Sequence, residues 1–231
     1  AVRLFDAMRR FDGARGCDAA RGCDVARDFR AARRAALTAL ALLALALSSA
    51  PARAAPERYV LDPEHTSVGF LVDHVGYAKV LGLFRKVSGT YRFDESTGAL
   101  TDLRIEIDAA SVYTAHDKRD DHLRGKDFLD AKRFPTLVYT ANSARRTGER
   151  TWVVDGQLEL LGQRRPVTLN VTWNKSAPYP LPLSPLQRSV VMGVSARGSF
   201  RRSAFGMNYA VENGWVGDVV ELIVEFEARR Q

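Results

Sequence analysis

From Tyr59 onward, apolar residues recur at every second position, and this period restricts the chain to a sheet-built fold. Leu103, Ile105 and Ile107 are separated by Arg104 and Glu106. Val167, Leu169, Val171 and Trp173 alternate with Thr168, Asn170 and Thr172, and Val220, Leu222, Val224 and Phe226 alternate with Glu221, Ile223 and Glu225. Val68, Phe70 and Val72 follow the same rule. Successive side chains on a strand point to opposite faces, so each segment has one apolar and one wet face. Further strands read at 84–93, 136–143, 151–161 and 190–200, with turn chemistry at 94–98, 145–149 and Gly162-Gln163. The spacing predicts an all-β fold of about eight antiparallel strands, and closing the sheet removes its unpaired edges. A closed barrel of about eight strands either fills its interior with side chains or holds one small ligand.

Two segments break the alternation. Ala177 to Pro185 carries four prolines, which a central strand does not tolerate, and reads as a long loop suited to a lid. Between Val112 and Thr136 lies a charged stretch with two of the four histidines. It reads as a short helical insert over 118–129, entered from a strand ending near Ser111 or Val112. Leu123 and Phe128 would face the barrel, and Asp120, Asp121 and Lys126 would face water.

The first quarter of the chain does not share this pattern. Residues 37–47 are almost wholly apolar, follow Arg30, Arg33 and Arg34, and precede Ala52-Arg53-Ala54, a small-x-small cleavage signature. Residues 30–54 therefore read as a signal peptide cleaved near Ala54, and the run is too short for a comfortable bilayer span. Residues 1–29, with the near repeat Ala14-Arg15-Gly16-Cys17-Asp18 and Ala20-Arg21-Gly22-Cys23-Asp24, read as a leader extension translated upstream of the true start. The expected domain is 55–231, exported to the periplasm. Ten of the 34 Lys/Arg and five of the 27 Asp/Glu precede Ala55, so the net charge of +7 falls to +2 in that domain, and a nucleic-acid partner loses its support. Cys17 and Cys23 leave with the leader, which excludes a disulfide, a thiol nucleophile and a cysteine-ligated metal.

The chemical constellations are sparse. His116 and His122 with Asp117 or Asp121 are the best metal candidates, but residues six apart lie on different helix faces, and no metal site is expected. No Gly-x-Ser-x-Gly elbow is present, and His65 beside Thr66 would point away from it on a strand. Gly162 to Pro166 reads as a hairpin turn rather than a phosphate loop. Arg201 and Arg202 precede Ser203-Ala204-Phe205-Gly206-Met207, where cationic and apolar groups adjoin. An outer-membrane barrel would need apolar side chains facing outward and has no place for the charged insert. The aromatics exceed what filling a small barrel requires and allow an apolar-lined cavity.

The order and spacing of several short motifs resemble the YceI-like, polyisoprenoid-binding proteins of the bacterial periplasm. They begin with Tyr59-x-x-Asp62-Pro63-x-His65-Thr66-Ser67-Val68-x-Phe70, His74, Gly82-x-Phe84 and Ser88-Gly89. Next come Ser111-Val112-x-Thr114, Arg119-Asp120-x-His122-Leu123, Phe128-x-Asp130 and Pro135-Thr136. Gly156-x-Leu158-x-Leu160-x-Gly162, Arg165-Pro166-Val167 and Arg202-Ser203-x-Phe205-Gly206-Met207 complete the series. The resemblance implies an extended lipocalin-like eight-stranded antiparallel barrel enclosing a hydrophobic tunnel. It implies binding or carriage of a polyisoprenoid lipid or prenyl quinone, with no required cofactor and no catalysis. Transient contact with a membrane or membrane protein is expected, and a homodimer is left open. The apolar tail would lie against Phe70, Phe84, Phe128, Phe134, Trp173 and Phe205, and the polar head would meet His65, Arg119 or His122. The alternative is an enzyme or stress-response factor using the His/Asp-rich insert.

Overall fold

The computed structural model describes residues 55–181 and 189–231. The leader and signal peptide expected over 1–54 lie outside them, as do residues 182–185 of the proposed lid. In chain order the elements are β1 (Glu57–His74), β2 (Ala78–Phe84), β3 (Val87–Asp94), β4 (Ala99–Asp108), β5 (Val112–Tyr113), α1 (Asp117–Arg124), β6 (Thr136–Ala141), β7 (Arg145–Arg146), β8 (Thr151–Leu160), β9 (Gln163–Pro178), β10 (Val190–Arg201) and β11 (Val216–Arg230). Eight of them close a ring by antiparallel pairing, in the order β1, β3, β4, β6, β8, β9, β10, β11 and back to β1. Parity then sorts the walls. Val68, Phe70 and Val72 of β1 pair with Val224, Leu222 and Val220 of β11, so both apolar sets face inward.

The strand read at 84–93 is two strands. The amides of Arg85 and Lys86 bond to the backbone and hydroxyl oxygens of Ser111 at 3.1 Å each, which takes them out of the ladder with β1. The first part of β1 pairs with β3 and its last part with β2, while residues 62–65 bulge from the ladder with β11. Beyond this point β1 and β2 form a hairpin, with β5 on its far edge through Leu83↔Tyr113.

The turn expected across Gly162 to Pro166 is confined to Leu161-Gly162, whose φ angles of 53° and 71° are those of a tight mirror-type hairpin turn. Gln163 to Pro166 therefore belong to β9. Pro166 pairs with Gln157 on one side and precedes the register with β10, which starts at Leu169, so its missing N–H breaks no second ladder. At the other end β9 runs through Pro178, further into the proline-rich segment than alternation suggested.

β4 ends at Asp108, whose carboxylate accepts from the Ala110 amide and caps a 3₁₀ turn over Ala109–Ser111. The expected helix forms at 117–124, slightly earlier than read, with the His116 ring as its N-cap acceptor. Asp120 does not face water. It is 2% exposed, and its Oδ1 accepts the Thr114 amide at 2.8 Å and hydroxyl at 2.5 Å. That carboxylate ties the helix to the strand before it.

Candidate functional site

The inward faces do not fill the barrel. They enclose a cavity of about 490 Å³, within the range of small-molecule sites. Along β1 its lining runs from Leu61 to His74, roughly 40 Å of strand path. Three aromatic groups divide that length. At one end Phe93, Trp152 and Trp173 meet edge to face or tilted, with centroids 5.8–6.2 Å apart. Two residues after Phe93, Glu95 accepts from the Tyr59 hydroxyl and from Ser176 Oγ, both at 2.6 Å. Burial, then the bond to Glu95, pushes the Tyr59 hydroxyl pKa up, so it stays a donor. In the middle Tyr91 packs on Phe226 and Phe70 on Phe84. Tyr139 spans the wall here, donating to the carbonyls of Val154 and Val167, with its ring over Gly156.

At the third group, by the helix, the lining turns polar. Arg119, His122, Arg202, Asp73 and His74 border the cavity at this end. Arg119 is held by Thr114, its Nε donating to the hydroxyl at 2.7 Å and Nη2 to the carbonyl at 2.8 Å. The His122 ring stands edge-on to Phe128 and Tyr209, with centroids 5.0 and 4.9 Å away, and its Nε2 lies 2.8 Å from Asp127 Oδ2. Tyr209 and Trp215 belong to the segment between β10 and β11 and also line the cavity, and helix and segment meet through the His122 and Tyr209 rings.

Arg202 holds that segment in place. It is 1% exposed, and its guanidinium donates to the carbonyls of Gly217, Met207, Tyr209 and Val216 at 2.8–2.9 Å. Among the described residues no carboxylate lies at ion-pair distance; Asp218 is taken by Arg201. Burial lowers the Arg202 pKa, and Phe128 covers the guanidinium at 5.8 Å. The result is a buried positive charge beside an apolar cavity, a position that favours an anionic or strongly dipolar group at this end.

Of the expected apolar contacts, Phe70, Phe84, Phe128 and Trp173 line the cavity. Phe205 and Phe134 do not. Phe205 is folded by a 3₁₀ turn behind the wall, edge-on to Phe200 at 5.3 Å, and it is Phe200 that reaches the cavity. Phe134 lies over the Gly162 turn and under the Arg133 guanidinium. Of the polar candidates, Arg119 and His122 border the cavity, but His65 is on the outer face, 3.3 Å from Asp62 and 4.0 Å from Glu227. Parity explains this: Thr66 pairs with inward Phe226, so its neighbour His65 must point out. Sequence reasoning missed Arg202 as a wall residue, along with Tyr209 and Trp215. The adjoining cationic and apolar groups after Arg201 were the available signal. No cluster of three or more His, Cys, Asp or Glu residues suited to a metal occurs among the described residues.

The YceI-like domain model matches residues 59–228. A UPF0312 protein of Pseudomonas savastanoi pv. phaseolicola is 37% identical over 140 residues, covering 60% of this chain and 72% of the relative. One from Photorhabdus laumondii is 37% identical over 134 residues, covering 58% and 68%. Among solved structures, Burkholderia cenocepacia BcnA superposes with a TM-score of 0.63 at 22% identity, covering 72% of this chain and 98% of that one. A polyisoprenoid binding domain from Saccharophagus degradans, implicated in plant cell wall breakdown, gives a TM-score of 0.53 at 16% identity, covering 75% and 98%. These two likenesses concern the fold.

Proposed function

We propose that this chain, which belongs to the YceI-like family, is a periplasmic carrier that holds a polyisoprenoid or prenyl quinone in its barrel. The observation that carries the reading is the division of the cavity: a long apolar interior with its charged groups gathered at one end. A prenyl chain gains about 25 cal/mol for each Å² of apolar surface removed from water, without directional bonds. Phe70, Phe84, Phe128 and Trp173 would hold the tail. Arg119 and His122, backed by Arg202, would meet the head. Support from likeness comes from the Saccharophagus degradans domain, described as polyisoprenoid binding. Catalysis has less support, because His122 faces Asp127 and the aromatic rings rather than a serine hydroxyl.

Native mass spectrometry of protein purified from its own host tests this directly. The expected species carries one amphiphile with a prenyl tail. Ligand-free protein that also fails to take up prenyl quinones and prenyl phosphates would overturn the reading. Affinity should fall more when the tail is shortened than when the head group is changed.

A further inference from the structure

The outer face of the β1–β2 hairpin departs from the inside-out sorting seen elsewhere. The inward positions of β2, Val80 and Phe84, line the cavity. Its outward positions include Leu81 and Leu83, 56% and 39% exposed, and Leu83 pairs across the edge with Tyr113, 40% exposed. At the hairpin tip Tyr77 is 91% exposed, and the Val75 amide bonds to the carbonyl of Trp215, a rim residue 58% exposed. Single exposed apolar residues are ordinary, but here several share one face beside the cavity's polar end, with the Lys79–Glu221 ion pair set between Tyr77 and Leu81.

That face ends at a surface pocket of about 310 Å³ whose charged lining is Arg85, Lys86 and Arg124 against one acid, Asp108. Arg85 lies over the Tyr113 ring at 5.3 Å and has no carboxylate at ion-pair distance among the described residues. Lys86 Nζ is 3.5 Å from Asp108 and largely exposed. Arg124 is fixed by the carbonyls of Ala110 and Val112 and by Asp121. Arg85 follows β2 directly, four positions or roughly 13 Å along the chain from Leu81. That spacing suits a strand whose apolar side chains enter the boundary between lipid head groups and tails while its cations stay among the phosphates.

We infer that this hairpin face docks on an anionic phospholipid bilayer, with a lipid phosphate seated in the Arg85–Lys86–Arg124 pocket and Tyr77, Leu81, Leu83 and Tyr113 entering the interface. Charge argues for this occupant: three cations against one acid line the pocket at the end of that face, which complements the phosphates of an anionic bilayer. The inference rests on the carrier reading, since it places the face against the membrane from which a prenyl lipid would be drawn.

The test is flotation of the protein with vesicles of phosphatidylcholine containing phosphatidylglycerol, beside phosphatidylcholine alone. Selective, salt-sensitive binding to the anionic vesicles is expected. R85E/K86E should weaken it by about tenfold or more, and L81S/L83S should also reduce it, while both variants still take up a prenyl quinone added from solution. Absence of binding, equal binding to neutral vesicles, or an unchanged R85E/K86E variant would overturn the docking face. So would a concentration-dependent dimer in ultracentrifugation that L81S/L83S dissolves. Normal quinone uptake with no vesicle binding removes the docking face alone; vesicle binding with no uptake removes the carrier reading.

Discussion

Filling the cavity should raise stability and abolish binding together. Ala196 sits on β10 between Val171 and Val224, 3% exposed, with its side chain on the cavity wall. At about 24 cal/mol per Å³, a dry void of 490 Å³ would cost roughly 12 kcal/mol, as much as the whole net stability of a typical domain. Some occupant, water or amphiphile, must therefore offset most of that cost. A196F places a phenyl ring in the space. Transfer of the added apolar surface from water is worth roughly 2 kcal/mol. For a domain of this size that corresponds to a rise in Tm of about 4–8 °C. A ligand at a hundred times its Kd stabilises the native protein by about 2.7 kcal/mol, or about 5–11 °C on the same scale, and A196F should lose most of that shift. Differential scanning fluorimetry with and without a prenyl quinone reads both effects. A variant less stable than wild type that keeps the full ligand shift would refute the reasoning, since the ring would then be straining the wall without entering the binding space.

Removing the Asp120 carboxylate leaves the Thr114 amide and hydroxyl buried without their acceptor; bonds to a charged group are worth about 1.5–3 kcal/mol each, so D120A should lose about 3 kcal/mol in urea unfolding. D120N keeps an oxygen in place and should lose less than half as much. Gly82 faces the Phe70 ring so closely that an added Cβ would lie 2.1 Å from its Cζ. G82A should turn that ring into the cavity, cost about 1–3 kcal/mol and weaken prenyl uptake in a titration. The Asp94 carboxyl is pulled from its ordinary 3.8 to about 2 by bonds from Ser96, then Thr97. A depressed carboxyl contributes stability that is full above about pH 4 and lost as pH falls towards 2. D94N should flatten the fall of Tm across that window; an unchanged slope would count against a stabilising role for the Ser96 and Thr97 bonds to Asp94.

Much of the barrel was legible because its rule is local. Alternation at 167–173 and 220–226 named the inward residues of β9 and β11 correctly, since a strand's parity is fixed by neighbours in sequence. The site was less legible because its partners are distant. Arg201 and Arg202 are adjacent and chemically alike, yet one goes out to Asp218 and the other inward to four carbonyls spread over 207–217. Asp120 looked wet by its charge, and only the fold of residues 112–124 brings its acceptor to Thr114. Phe134 and Phe205 looked like lining by type and were set aside by a turn and a 3₁₀ coil.

By itself, then, the sequence determined an all-β chain with one apolar face per strand, a closed antiparallel barrel and a helical interruption, since propensity and period act within a few residues. Tertiary structure alone decided that the inward faces stop short of filling the barrel and that its polar groups collect at one end. It also decided that one hairpin exposes apolar side chains beside a cationic pocket. Each depends on strand register and on which distant segments come into contact.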